Sequence, residues 1–298
     1  MSISARQSAV ILISLFRGCR VFLHVCYGLL LAIVYPHLNQ AGQNRILKRW
    51  NRQLLSMFNI DILVQGQPPR HPKGGILIVA NHVSWLDIIV LNAIHPSRFI
   101  AKSEVNDWPV IGWLTRRCGT VFIERSLRQN TSIVNRRISE LFGQDISIGL
   151  FPEGTTTDGK QVAPFRSALI QPAIDAGIWI QPMALRYREK DGDGEPGSAA
   201  VFVGDMTLAL SIWRILRCPR QHALVIFTPA LSAENADRRV LARAAQTAIS
   251  RALQSFNNSH PTAMQPEVSA VPESVLPSLS AYEFLVDPML NQLPVEDS

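Results

Sequence analysis

"GILIVANHVSWLDIIVLNAI" (Gly75–Ile94) runs from an apolar strand through a short polar loop into an apolar helix. Gly75–Ala80 is the strand and Ser84–Ile94 the helix, with Ser84 and Asp87 forming an S-x-x-D capping box at its start. His82 then lies just before the cap, on the loop that leaves the strand. Two residues five apart on one continuous helix differ by about 140° in direction and cannot face each other. A histidine outside the cap can fold back over the first turn, where Asp87 would accept its Nδ1–H and leave Nε2 free as a base. Capping and orienting are compatible roles for Asp87, and a plain cap accounts for it equally well. Asn81 is an alternative as the important loop residue.

The same alternation continues outward. Strands are predicted at Gly75–Ala80, Arg98–Ala101, Thr120–Glu124, Ile146–Phe151, Ile178–Tyr187, Ala200–Gly204 and Ala223–Thr228. Helices are predicted at Ser84–Ile94, Trp108–Arg117, Thr131–Phe142, Arg166–Ala176, Thr207–Leu216 and Ala233–Phe256, after an earlier one at Arg45–Ile60. This pattern predicts an α/β fold: a mostly parallel central sheet of about seven strands flanked by helices. The polar turn "EKDGDGEPGS" (Glu189–Ser198) joins two successive strands and predicts one antiparallel pair.

Before the sheet, "SAVILISLF" (Ser8–Phe16) is a short apolar run, Arg17 and Arg20 interrupt it, and Val21–Leu38 follows without a charge. No cleavage site of small residues follows, so this is not a signal peptide. It predicts a membrane anchor, as one spanning helix or as a pair lying in one leaflet. The chain divides into this anchoring helical region, residues 1–60, an α/β domain, residues 61–257, and an acidic tail with Pro and Ser, residues 258–298, expected to be disordered.

Composition agrees. Of 298 residues 47% are hydrophobic and only 17% charged, below the roughly 25% usual in soluble domains. The 29 Lys and Arg outnumber the 23 Asp and Glu, and six of those acids lie in the tail, leaving residues 1–257 at +12. That balance favours anionic partners such as phospholipid head groups. Cys19, Cys26, Cys118 and Cys218 form no CxxC pair, so neither a metal site nor a disulfide framework is expected. A serine hydrolase would need a G-x-S-x-G elbow, which is missing, and nothing resembles a nucleic-acid recognition motif.

Two further constellations end strands. "AKSEVNDWPVIGWLTRRCGTVFIERS" (Ala101–Ser126) offers Lys102 and Arg125, whose cations suit a phosphate. "FPEGTTTDG" (Phe151–Gly159) opens a loop of backbone amides and hydroxyls suited to an anionic oxygen, with Glu153 oddly placed for a surface charge. Three signals at the carboxyl ends of strands, where open α/β sheets hold their sites, reinforce one another.

With these blocks in view, the chain resembles the 1-acylglycerol-3-phosphate acyltransferase family. "NHVSWLD" matches its NHxxxxD signature, "FPEGTTT" its FPEGT block, "KSEVNDWPVIGWLTRRCGTVFIER" its second block and "IQPMAL" (Ile180–Leu185) its fourth, proline-centred block. The family often has Arg where Thr156 stands, and an apolar residue where Gln181 precedes Pro182; both departures bear on acceptor handling. The tract through "APFRSAL" also resembles bacterial lyso-ornithine lipid acyltransferases. The resemblance implies acyl transfer from acyl-CoA or acyl carrier protein to a lysolipid hydroxyl, lysophosphatidic acid giving phosphatidic acid, without an acyl-enzyme. His82 would be the general base and Asp87 its orienting partner. Arg125 and, more weakly, Lys102 would bind the acceptor phosphate, while Glu153, Gly154 and Thr155 shape the acceptor pocket. No metal or cofactor is implied beyond the acyl donor. The implied setting is the bacterial inner membrane, among phospholipids, with the catalytic domain on the cytoplasmic side. The rivals are another lysolipid acceptor, lyso-ornithine lipid among them, or a non-catalytic lipid-binding module.

Overall fold

Strand residues that are apolar on both faces need cover on both sides, and the fold supplies it. The computed structural model describes residues 3–67, 75–123, 130–189 and 199–258. Among them eight strands form one sheet: β1 (Ile60–Gln65), β2 (Leu77–Ala80), β3 (Arg98–Lys102), β4 (Val121–Ile123), β5 (Ile148–Leu150), β6 (Trp179–Glu189), β7 (Gln221–Phe227) and β8 (Leu231–Ser232). Their order is β1-β7-β6-β2-β5-β3-β4, with β8 paired to β6. β2, β3, β4, β5 and β6 run parallel to one another, while β7 and β8 run antiparallel to β6 and β7 carries β1 parallel to itself.

Successive side chains sort the core into two layers. Ile78 and Ala80 of β2 face helices α1 (Ile3–Val34), α2 (Gln40–Met57), α3 (Leu86–Ile94) and α7 (Leu208–Arg217). Leu77 and Val79 face α5 (Asn130–Gly143), α6 (Gln171–Asp175) and α8 (Arg238–Asn258). The eighth α-helix among the described residues, α4 (Ile111–Arg117), lies between β3 and β4 in sequence.

α1 is one continuous helix through the arginines that interrupt its apolar sequence. Arg17 Nη1 donates to the carbonyls of Leu216 (3.3 Å) and Cys218 (3.0 Å), so its charge sits at the C-terminus of α7. His24 is likewise turned inward: its Nε2 meets the Trp50 carbonyl at 3.0 Å, and the two rings stack at 5.0 Å. Val21 joins the same core layer as Leu54 and Phe58, while Leu12, Phe16, Phe22, Leu23 and Leu30 are exposed along the opposite side.

Several elements differ from expectation. The helix predicted to Ile60 ends at Met57, because Asn59 takes a positive φ of 59° and turns the chain into β1, an unanticipated strand. Ala200–Gly204 is not a strand. Both sides of β6 are already occupied by β2 and β7, and the segment packs instead against the loop after β2, with Phe202 N–H donating to the Val83 carbonyl at 3.0 Å. The antiparallel pairs are instead β6–β7 and the short β6–β8. The helix predicted at Arg166–Ala176 is a 3-10 turn, Ser167–Ile170, followed by the short α6. The helix predicted from Trp108 starts at Ile111, after a γ-turn in which Ile111 N–H reaches the Pro109 carbonyl (2.7 Å) and Val110 has φ 66°. The tail falls outside the described residues, beyond α8.

Candidate active site

Because β2, β3, β4 and β5 run parallel, the loops that leave them emerge at one edge of the sheet. The loop after β2 carries His82, and its geometry is set from four sides. Asp87 Oδ2 lies 2.7 Å from His82 Nδ1 and also accepts from the backbone N–H of Val83 (2.7 Å) and Ser84 (2.9 Å). One carboxylate oxygen therefore caps the start of α3 and orients the imidazole, so the two readings of Asp87 merge. Ser84 supplies a weaker half of the cap, its Oγ accepting from Leu86 N–H at 3.3 Å. The Asp87 side chain is fully buried and that of His82 is 19% exposed. Among the described residues nothing bonds to His82 Nε2.

The loop after β5 holds the same histidine by its backbone and its ring. Glu153 Oε1 accepts from His82 N–H (2.7 Å) and Oε2 from Ala163 N–H (2.9 Å). Thr157 N–H donates to the His82 carbonyl (2.8 Å). Phe151 lies face to face with the imidazole, centroids 4.0 Å apart and planes 8° from parallel, and Phe99 stacks behind it at 5.6 Å. Burial raises the Glu153 carboxyl pKa above its ordinary value, against the two amide bonds that lower it. Gly154, at φ 74°, turns the loop so that Glu153 points back to His82.

Other supports come from elements distant in sequence. Asn81 pairs with the backbone of Leu185 on β6 in both directions, donating to its carbonyl (2.9 Å) and accepting from its N–H (2.8 Å). Tyr187 Oη donates to Asp87 Oδ1 at 2.8 Å. Trp85 Nε1 donates to Ser211 Oγ on α7 (3.1 Å).

Of the site residues expected from sequence, His82, Asp87 and Glu153 meet directly. Thr155 is exposed on the loop after β5, two residues before the Thr157 contact. Lys102 ends β3 at the same edge. Arg125 lies outside the described residues. Gln181, whose departure from the family pattern suggested acceptor handling, is instead within the sheet opposite Ile78, its amide donating to the carbonyls of Pro182 and Thr228. Sequence reading passed over Phe151, Thr157 and Tyr187. Tyr187 left a trace: a tyrosine on the otherwise apolar face of Met183 and Leu185 requires a buried hydrogen-bond partner.

An imidazole held at Nδ1 by a buried carboxylate, with Nε2 open, is equipped to take a proton from an incoming hydroxyl. Comparison with known proteins gives the reaction class, acyl transfer. A family model described as Acyltransferase matches residues 61–186. A lyso-ornithine lipid O-acyltransferase of Pseudomonas aeruginosa is 37% identical over 220 residues, covering 74% of this chain and 82% of that one. A 1-acyl-sn-glycerol-3-phosphate acyltransferase of Neisseria meningitidis is 38% identical over 201 residues, covering 67% and 77%. The crystal structure of the 1-acyl-sn-glycerophosphate acyltransferase PlsC of Thermotoga maritima shares the fold, with TM-score 0.55 at 19% identity over 82% of this chain and 99% of that one.

Proposed function

This chain belongs to the 1-acylglycerol-3-phosphate acyltransferase family of O-acyltransferases, and on that premise we propose that it acylates the free sn-2 hydroxyl of 1-acylglycerol 3-phosphate, giving phosphatidic acid. The donor is an acyl thioester, acyl-CoA or acyl carrier protein. His82 Nε2 takes the hydroxyl proton as the oxygen bonds to the thioester carbonyl carbon. The tetrahedral intermediate then expels the thiolate, which recovers the proton from His82 and leaves as the thiol. Asp87 fixes the ring and stabilises its protonated form. Lys102 and Arg125 bind the acceptor phosphate, and the loop from Glu153 to Thr155 bounds the acceptor. The reading is carried by the 2.7 Å contact between His82 Nδ1 and Asp87 Oδ2, with Nε2 left unpartnered among the described residues.

α1 attaches the enzyme to the membrane. It stays docked on the domain through Ser14, Arg17, Val21 and His24, so its exposed apolar side faces lipid along the length of the molecule. The surface continues into a groove that Leu29, Leu30 and Ile33 form with Val110 and Trp113. The basic domain suits anionic head groups, and in a bacterial cell the catalytic domain would face the cytoplasm at the inner membrane.

A second acceptor, lyso-ornithine lipid, is favoured by the Pseudomonas aeruginosa relative, whose match is the longer of the two. Purified protein assayed against lysophosphatidic acid, glycerol 3-phosphate, other lysophospholipids and lyso-ornithine lipid decides between them: the proposal expects the highest kcat/KM with lysophosphatidic acid. His82→Ala should abolish transfer while membrane association and folding persist. Near wild-type turnover in that variant would remove the base assignment.

A further inference from the structure

β6 outruns its parallel neighbour. Ala80, the last residue of β2, pairs with Met183, so β6 continues past the edge at which His82 emerges. Met183, Leu185 and Tyr187 share one face by the two-residue period of a strand and lie in the core layer beside α3. Asn81 binds both backbone groups of Leu185, which fixes the register of this overhang against the residue just before His82. Two residues on, Tyr187 is 1% exposed and its hydroxyl meets Asp87 Oδ1 at 2.8 Å. The carboxylate is thus divided: Oδ2 serves the imidazole and the two loop amides, while Oδ1 serves the phenol.

We propose that Tyr187 is a positioning residue for acyl transfer, holding the Asp87 carboxylate so that Oδ2 faces His82 and limiting the charge that Oδ2 presents to the imidazole. The role rests on His82 being the base. A hydrogen bond donated to an anion disperses its charge. Without the hydroxyl, the carboxylate grips the protonated imidazole more strongly, and the base is freed only at higher pH. Tyr187 remains a donor throughout, since burial and the neighbouring Asp87 hold its phenol well above the ordinary tyrosine range. Among the described residues, the other titratable group against the dyad is Glu153, from the loop after β5; α7 contributes the hydroxyl of Ser211 through Trp85, which does not titrate.

Tyr187→Phe keeps the ring and deletes the donor. It should lower kcat about tenfold with KM for both substrates within about twofold, and move the acid limb of kcat/KM upward by about half a pH unit. Replacing Tyr187 with 2,3-difluorotyrosine, a stronger donor of nearly the same shape, should move that limb the other way. Wild-type kcat with an unmoved limb in Tyr187→Phe overturns the role, as does lost thermal stability with kinetics unchanged, the signature of a tyrosine that only fills space. A fluorotyrosine limb that stays put or moves upward overturns it too, and this arm holds if the Phe variant folds poorly. His82→Gln, assayed alongside, separates the two assignments. Turnover in His82→Gln fails the base itself, whereas an inactive His82→Gln beside a wild-type-like Tyr187→Phe removes Tyr187 alone.

Discussion

At the scale of the residue, the question is why one histidine among seven in the chain is so tightly held. A general base works only if its lone pair points where the hydroxyl arrives, and an imidazole on a loop turns freely about two side-chain torsions. Here Asp87 fixes one nitrogen, Phe151 blocks one ring face, and Glu153 and Thr157 fix the peptide on either side. Aromatic stacking of this kind contributes about 0.5–1.5 kcal/mol beyond area burial. Phe151→Leu should therefore leave the ring free to tilt and reduce kcat roughly fivefold to tenfold with little effect on KM. Steady-state kinetics on the folded variant checks this; a change confined to KM would mean that Phe151 contacts substrate instead. Asp87 was legible because S-x-x-D and the five-residue spacing lie within one short stretch. Phe151 was not, because stacking depends on a loop 69 residues downstream folding back over the ring.

At the scale of the element, Asn81 explains how β6 comes to matter at the site. Beyond Ala80 the β2 backbone leaves the sheet, and a side-chain amide takes over its pairing with Leu185. Asn81→Ala removes both bonds and leaves the buried Leu185 N–H and C=O without partners, at a cost of about 2–4 kcal/mol. Urea unfolding should report that loss, and turnover should fall with it, since Tyr187 and Asp87 depend on the same register. A variant as stable as wild type would mean that water or a neighbouring group replaces the amide. The sequence could not distinguish this use of Asn81 from a contact with substrate. Ala200–Gly204 failed as a strand for a related reason: its composition suits one, but strand pairing needs an open neighbour, and β6 has none.

At the scale of the whole molecule, the N-terminal helix and the α/β layers share one core. Val21 of α1 shares a core cluster with Leu54 of α2, with Phe58 just after that helix and with Ala223 and Val225 of β7, and Arg17 closes the end of α7. Stability therefore belongs to residues 3–258 together, and one buried group should make it depend on pH. His95, at the end of α3, bonds Ser147 Oγ through Nε2 (3.0 Å), and burial, with a smaller effect of Lys48, pushes its pKa down to about 4. A folded value below the unfolded one near 6.5 means that protons favour the unfolded chain. His95 thus contributes its full stability above pH 6.5 and loses it as the pH falls towards 4. Between pH 7 and 5 that loss is on the order of 2 kcal/mol. Urea unfolding at the two pH values should show the wild type losing more stability than His95→Gln by about that amount; equal losses would show that His95 is not held neutral in the fold.

The amino-acid order alone determined the α/β class and the apolar N-terminal helix, and set His82 and Asp87 close enough in the chain to pair. Each of these rests on periodicity or spacing within one short stretch, where local geometry leaves little choice. Tertiary structure alone decided that Asp87 both caps α3 and orients the ring, that Gln181 serves the sheet, and that Phe151, Asn81 and Tyr187 converge on the histidine. The contacts of Phe151, Asn81 and Tyr187 join residues about 70 to 105 positions apart in the chain, and the order in which strands pair, which brings such residues together, is written in no local pattern.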